Sequence, residues 1–126
     1  MTLEGPVLVY DRVSHNNFVI HESTELNVPE KIPVAWDYKF ENPELVLGVA
    51  TLHKEGSVML ATVNVTNELF KQIIQDRGKI YCGGRYKGVK THKMSDSVIT
   101  HVDKAELCGL GIYESGDEFL YLKVKE

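Results

Sequence analysis

The segment KIYCGGRY places a cysteine directly before two glycines, and no other segment of the chain suggests catalysis as directly. A cysteine can act as a nucleophile, and the backbone amides of Gly83 and Gly84 can approach a reacting carbonyl. Neighbouring cations favour the reactive thiolate form of Cys82. A nucleophile also needs a base, so the fold would have to bring in His53 or His101. Catalysis is one hypothesis, but a small core cysteine beside a glycine bulge is more common, and we favour it.

The histidines and cysteines do not have the spacing of a metal site. The five histidines are His15, His21, His53, His92 and His101. None of them lies at a close spacing that places two ligands on one helix face or around a tight knuckle. Cys82 and Cys108 are 26 residues apart, and two cysteines are few for a disulfide framework. We therefore expect free thiols, no metal and no cofactor.

Positive charge is concentrated in one segment of an acidic chain. The net charge is −4, yet residues 77–93 contain six lysines and arginines and no carboxylate, which leaves a balance of −10 elsewhere. Tyr81 and Tyr86 alternate with these cations, as in strands that stack single-stranded nucleic acid bases. A basic patch more often contacts an acidic protein surface or water. Nucleic acid is therefore an alternative partner that we consider less expected.

The length and composition indicate one soluble domain. The 126 residues are 43% hydrophobic and 25% charged, which is ordinary for a globular protein with one core. Apolar stretches such as Leu45 to Leu52 are less than half of the roughly 20 residues needed to cross a bilayer. The N-terminal segment MTLEGPVLVYDR lacks the features of a secretory signal. We predict a single β-rich domain over residues 1–126, a cytoplasm-like compartment and no membrane partner.

Short runs of β-branched and aromatic residues between turn-forming clusters predict strands. The predicted strands are Pro6 to Arg12, Asn17 to His21, Ile32 to Trp36, Val46 to Leu52, Ser57 to Val65, Lys79 to Tyr86, Val98 to Val102, Leu107 to Tyr113 and Phe119 to Val124. Lys54-Glu55-Gly56 and Gly116-Asp117 predict hairpin turns. The polar segment Thr91 to Ser97 is the predicted mobile loop.

One segment has helical periodicity. In TNELFKQIIQDRGK, the apolar residues Leu69, Phe70, Ile73 and Ile74 share one face. Thr66 or Asn67 can cap its start, and Gly78 can take the left-handed position at its end. The predicted fold is therefore mainly β (α+β), a small curled or barrel-like, antiparallel-rich sheet with one packed α-helix.

The order of these features resembles the tailed-phage prohead (capsid maturation) protease family, whose fold is related to that of the herpesvirus assembly protease. In that family a Pro-Val-aliphatic-aromatic strand leads into a His-Asp loop, and the next strand carries aliphatic-Gly-x-Ala. A hairpin, a helix, a strand with a serine beside a glycine, and a strand with an acidic residue near a serine follow. The matching segments are PVAWDYKFENPELVLGVATL, GSVMLATVNV, NELFKQIIQ, KIYCGGRY and KAELCGLGIY, all within residues 32–113.

The positions that match the family's catalytic residues differ in this chain. Asp37 or Tyr38 stands in place of the histidine, Cys82 in place of the serine, and Cys108 where a Glu-aliphatic-Ser pattern is expected. Tyrosine is a poor general base near neutral pH, because its unperturbed pKa is about 10, against about 6.5 for histidine. The resemblance therefore implies a non-catalytic virion protein, made in the host cytoplasm, that decorates or stabilises the capsid.

Two segments are the predicted contact surfaces of such a virion protein. Trp36-Asp37-Tyr38 offers two aromatic anchors, and Arg85-Tyr86-Lys87 offers an aromatic ring between two cations. The expected partners are capsid protein, another virion protein or a second copy of this chain. The alternatives are a capsid maturation peptidase that uses Cys82, and a single-stranded nucleic-acid-binding module.

Overall fold

A computed structural model describes residues 1–125, which form a closed seven-stranded β-barrel with one helix and one strand added to its edge. The strands are β1 (Thr2–Val9), β2 (Phe18–Asn27), β3 (Lys31–Trp36), β4 (Val46–Glu55), β5 (Val58–Val65), β6 (Lys79–Lys93), β7 (Thr100–Tyr113) and β8 (Tyr121–Lys125). The helix α1 is Glu68–Arg77, and a single 3-10 turn covers Pro43–Leu45. The predicted fold class is confirmed.

The barrel is closed by strands from both ends of the chain. Its order is β7-β3-β4-β5-β1-β8-β6, and β6 pairs again with β7. β7 is long enough to pair in parallel with β2 along its first half and with β3 along its second half, while the other pairs are antiparallel. Because β1 and β8 complete the barrel, residues 32–113 alone do not form it.

Alternation along the strands fills the interior. In β5, Met59, Ala61, Val63 and Val65 are buried, and the residues between them are more exposed. The largest fully buried side chains include Leu3, Ile32, Leu47, Ile80, Leu107, Leu110, Ile112 and Leu122. These residues come from β1, β3, β4, β6, β7 and β8, so the core depends on closure of the whole sheet.

The predicted helix and both of its caps are confirmed. The Asn67 side chain accepts a hydrogen bond from the Leu69 amide at 3.0 Å, and Gly78 has a φ of 72°. Phe70 and Ile74 are buried, but Leu69 is 63% exposed, so only part of the predicted apolar face packs on the barrel. Within residues 1–125, no helix has both the length and the apolar content that crossing a membrane requires.

One predicted hairpin turn is confirmed and the other is wrong. Gly56 joins β4 to β5 with a φ of 61°. Gly116-Asp117 does not join a hairpin, because β7 and β8 do not pair and β8 lies between β1 and β6. Asp117 is instead buried in an ion pair with Arg12, 105 residues away, which local turn chemistry does not indicate.

The loop is shorter than the predicted Thr91 to Ser97, because its first three residues belong to β6 and, of the predicted residues, only Met94 to Ser97 lie between the strands. The predicted strand break before Leu107 is wrong. β6 continues to Lys93, and β7 runs without interruption from Thr100 to Tyr113. The two strands pair as far as Lys93 with Thr100. β8 pairs only with the start of β6, and β3 pairs only with the end of β7. The remaining parts of β6 and β7 therefore extend beyond this region as a long hairpin. Cross-strand hydrogen bonds support strand structure in this polar segment, which has little apolar periodicity.

Candidate functional site at the end of β3

β3 ends at a sharp corner formed by Asp37 and Tyr38. Their φ angles are 48° and 58°, a left-handed conformation that residues other than glycine rarely adopt. The Asp37 amide donates to the Ile112 carbonyl at 2.8 Å, and the Lys39 amide donates to the Trp36 carbonyl at 3.0 Å. These bonds hold the turn and direct Tyr38 towards β6 and β7.

Tyr38 lies against a pair of glycines on those strands. Gly83 of β6 is the register partner of Gly111 of β7. A Cβ atom at Gly111 would lie 2.4 Å from the Tyr38 ring, and one at Gly83 would lie 2.5 Å from its hydroxyl oxygen. Only glycine leaves room for the tyrosine, which therefore lies beside Gly83, the residue that follows Cys82.

The corner contains two neighbouring phenol hydroxyls. A Cβ atom on Gly83 would lie 2.5 Å from the Tyr38 hydroxyl oxygen and 2.7 Å from that of Tyr113, and the Tyr113 hydroxyl donates to the Cys82 carbonyl at 3.0 Å. Burial is the largest cause that raises the pKa of Tyr38 and of Tyr113 above the ordinary value of 10.0. Both phenols are therefore protonated near neutral pH, where they can donate hydrogen bonds but cannot act as general bases.

Cys82 is a core residue. Its side chain is fully buried, and its thiol lies 3.7 Å from the Pro6 carbonyl oxygen. Burial raises the pKa of this thiol far above its usual range, so the predicted thiolate is wrong. The core interpretation of Cys82 is confirmed. Gly83 and Gly84 pair in regular register with Gly111 and Leu110, so they do not form the predicted bulge.

The bulge lies at Cys108 instead. Arg85 pairs with Gly109 and Tyr86 pairs with Leu107, which leaves Cys108 as the extra residue of β7. Its thiol donates to the Arg85 carbonyl at 3.3 Å. Cys108 is half-buried, and both cysteines are free.

The different burial of the two thiols predicts different reactivity. With excess iodoacetamide at pH 8, we expect Cys108 to be alkylated at least about 100-fold faster than Cys82, because Cys82 reacts only after the barrel opens. Peptide mass spectrometry over time measures both rates. Denatured protein is the control, in which the rates should converge. Comparable rates in the native protein would contradict the burial of Cys82.

The histidines proposed for a peptidase are not brought to Cys82. His101 pairs with His92, which is ten residues further along β6 than Cys82, or about 30 Å at the usual rise of a strand. His53 is exposed on β4, where its Nε2 atom lies 3.7 Å from Glu55. The structure therefore does not bring either histidine to Cys82 as a base.

Sequence spacing did not indicate that three histidines form a row. His21, His101 and His92 stack across β2, β7 and β6 with ring centroids 5.1 and 5.0 Å apart, and His21 Nε2 lies 2.8 Å from His101 Nδ1. Asp11 contacts His21 at 2.9 Å, and Asp103 contacts His92 at 2.8 Å. Strand pairing alone creates this row, since His21 and His101 are 80 positions apart in the sequence. In residues 1–125, no group of three or more such side chains is arranged to hold a metal ion.

The two predicted contact segments have partly internal roles. Trp36 is half-buried and stacks on Phe70 of α1 at 5.5 Å, whereas Tyr38 is 36% exposed. The Arg85 guanidinium lies 5.2 Å from the Phe40 ring, and Lys87 forms an ion pair with Glu106 at 2.8 Å.

Tyr86 does not present its ring for base stacking. The ring packs against the core, and burial raises the pKa of its hydroxyl. The predicted alternation of exposed aromatics and cations is therefore wrong at this position. Arg77 is also neutralised, by an ion pair with Glu114 at 3.2 Å. Both observations weaken the nucleic-acid alternative.

Comparisons with known proteins do not assign the chain to a family. A scan against protein-family models and searches of curated proteins and of solved structures found no significant match.

Proposed function

We propose that this protein is a non-catalytic relative of the tailed-phage prohead proteases, and that it serves in the virion as a capsid decoration or stabilising component. The closed barrel and the order of elements in residues 32–113, which is β3-β4-β5-α1-β6-β7, support this proposal. Its partner is capsid protein or another virion protein, with a second copy of the chain as a further contact.

The observation that carries the proposal is the chemistry at the β3 corner. Tyr38 and Cys82 stand where the resembling family has its catalytic histidine and serine, and the fold brings Tyr38 against Gly83, the next residue after Cys82. The thiol of Cys82 is buried and the phenol of Tyr38 is protonated, so this position lacks both a nucleophile and a base. The order of strands and helix is what the resemblance to the family leads us to expect, while the Cys82 thiol and the Tyr38 phenol are suited to packing and not to catalysis.

The long hairpin supplies a surface for binding the shell. We call residues 87–106 the hairpin arm; it consists of the ends of β6 and β7, with β2 along one edge. At its tip Met94 is 65% exposed and Val98 is 71% exposed. Exposed apolar side chains on a projecting hairpin are suited to contact another protein.

Particles purified from infected cells test the role in the virion. Quantitative mass spectrometry is expected to find the chain in many copies per particle. Its absence from particles would overturn the proposal, and a few copies together with processing of capsid precursor would favour the peptidase. In that case Cys82→Ala would abolish the processing, whereas the proposed function requires that it has no effect.

Binding to purified shells tests the hairpin arm. The double variant Met94→Asp and Val98→Asp is expected to cosediment with shells at least about 10-fold more weakly than the unmodified protein, because a carboxylate placed in an apolar contact loses its hydration without gaining a partner. Leu69→Asp is the matched control, since it also adds a charge at an exposed apolar position, but on α1. If Leu69→Asp weakened shell binding as much as the double variant does, the hairpin arm would not be the specific contact with the shell.

A further inference from the structure

One end of the barrel interior is filled by side chains, and the other end encloses a cavity of about 320 Å³. Strands β1, β2, β6 and β7 form its walls, and the segments 10–17 and 114–120 form its mouth. Barrels of this strand number have an interior that side chains just fill or that holds one small ligand. A volume of 320 Å³ corresponds to about ten water molecules in the liquid, which is the lower range of small-molecule sites.

Most of the cavity wall is apolar. Val7, Ile20, Val102, Ala105 and Leu120 line it from four different parts of the chain. The first four of these residues are buried. An apolar molecule placed here releases the water that covers this wall, which favours binding.

The Tyr86 hydroxyl is a polar group of the cavity that has no protein partner. The Tyr113 hydroxyl, in contrast, donates to the Cys82 carbonyl at 3.0 Å. The Tyr86 hydroxyl makes no hydrogen bond to any other residue in the described part of the chain, and its ring is packed over Gly84, where a Cβ atom would lie 2.7 Å from the hydroxyl oxygen. Burial raises the pKa of Tyr86, so its proton remains available for donation.

The mouth carries charges that neutralise each other. Arg12 donates two hydrogen bonds to the Asp117 carboxylate, at 3.0 and 2.8 Å, and its guanidinium lies 4.0 Å from the Phe119 ring. His15 lies 3.6 Å from the same carboxylate. A charged ligand would lose its hydration without meeting a free counter-charge, so this mouth favours an uncharged one.

We infer that the cavity binds an uncharged small molecule with an apolar body and one hydrogen-bond acceptor, which the Tyr86 hydroxyl holds. This site does not depend on the role in the virion, and its test can fail without affecting that role.

Acetophenone is a suitable probe, because it is an uncharged ring with one carbonyl acceptor. In a titration followed by amide NMR, we expect acetophenone to shift the signals of Gly83, Gly84 and Ala105. Ethylbenzene has a similar shape without the acceptor, and it should bind about 10-fold more weakly. Benzoate carries a charge and should bind more weakly than acetophenone. Benzoate binding as tight as that of acetophenone would overturn the assignment of an uncharged ligand.

Tyr86→Phe isolates the hydrogen bond, because it removes the hydroxyl and keeps the ring. We expect this variant to bind acetophenone about 10-fold more weakly and ethylbenzene with unchanged affinity. An equal loss for both probes would overturn the role of the hydroxyl.

Ala105→Leu fills the cavity and should abolish binding of both probes. Amide spectra confirm that each variant is folded, and Ala105→Val replaces Ala105→Leu if the larger side chain unfolds the barrel. Acetophenone shifts that persist in the filled variant, or the absence of shifts at the cavity residues in the unmodified protein, would overturn the site. The second result would leave the cavity to a side chain of a partner protein.

Discussion

Gly5→Ala is expected to lower the free energy of unfolding by about 3 kcal/mol or more, because overpacking here acts on backbone that cannot rotate away. Gly5 lies in β1 where the barrel closes against β8. A Cβ atom at this position would lie 2.0 Å from the Tyr121 carbonyl oxygen and 3.2 Å from the Leu122 Cα atom. Relief of this clash requires β1 and β8 to separate. Urea unfolding at 10 °C measures the loss.

Gly88→Ala is the matched control for this prediction. Gly88 has a φ of 60°, and a Cβ atom there meets nothing within 4 Å. Its replacement therefore costs only the strain of a left-handed alanine, about 1 kcal/mol. Similar losses for the two variants would show that closure between β1 and β8 tolerates a side chain at Gly5.

Asp117→Asn is expected to lower the free energy of unfolding by about 3 kcal/mol, because it leaves the Arg12 guanidinium without its counter-charge in a partly buried site. The Asp117 side chain is 2% exposed and that of Arg12 is 26% exposed. The carboxylate also accepts a hydrogen bond from the Phe119 amide at 3.0 Å. The ion pair therefore fastens the segment after β7 to the segment after β1. Chemical unfolding at pH 7 gives the loss.

Protonation of Asp117 should make the free energy of unfolding depend on pH. Burial of Asp117 raises the pKa of its carboxyl group, but the hydrogen bonds from Arg12 and from the Phe119 amide outweigh this and hold the pKa below its ordinary value. The stabilisation by this group is therefore complete above the unfolded pKa of about 3.9, and it is lost as the pH falls through the lower folded pKa. The difference in stability between the unmodified protein and Asp117→Asn should shrink below about pH 4.

An exposed ion pair is the control for Asp117. Lys125 and Glu4 lie 3.0 Å apart with side chains that are 58% and 41% exposed. Glu4→Gln should cost less than about 1 kcal/mol, because water screens this pair. An Asp117→Asn loss no larger than this would mean that the carboxylate does not fasten the mouth of the cavity.

The tip of the hairpin arm and the cavity give the protein two separate surfaces for function. The hairpin arm projects exposed apolar side chains for a macromolecular contact, while the cavity faces the barrel interior and carries the unpartnered Tyr86 hydroxyl. A barrel fold by itself does not determine activity, so each surface needs its own test.

The sequence alone predicted those strands, caps and turns that depend on residues close together in the chain. Alternation in β5, the caps at Asn67 and Gly78, and the Gly56 turn were all predictable, because each depends on residues within one strand or turn. The mainly β class with one helix follows from the same signals. The buried role of Cys82 was also expected, since a small cysteine within a strand is more often a core residue than a nucleophile.

Pairing between strands that are distant in the sequence determined the contacts at the β3 corner, the histidine row and the cavity. The Tyr38 contact with Gly83 and Gly111, the stacking of His21 on His101 and the Arg12–Asp117 pair join residues that are 45 to 105 positions apart, and no local preference specifies such contacts. The parallel pairing of β7 with both β2 and β3 fixes which side chains share a face. The cavity likewise exists only after the barrel closes, because its volume is the space that side chains from β1, β2, β6 and β7 leave between them.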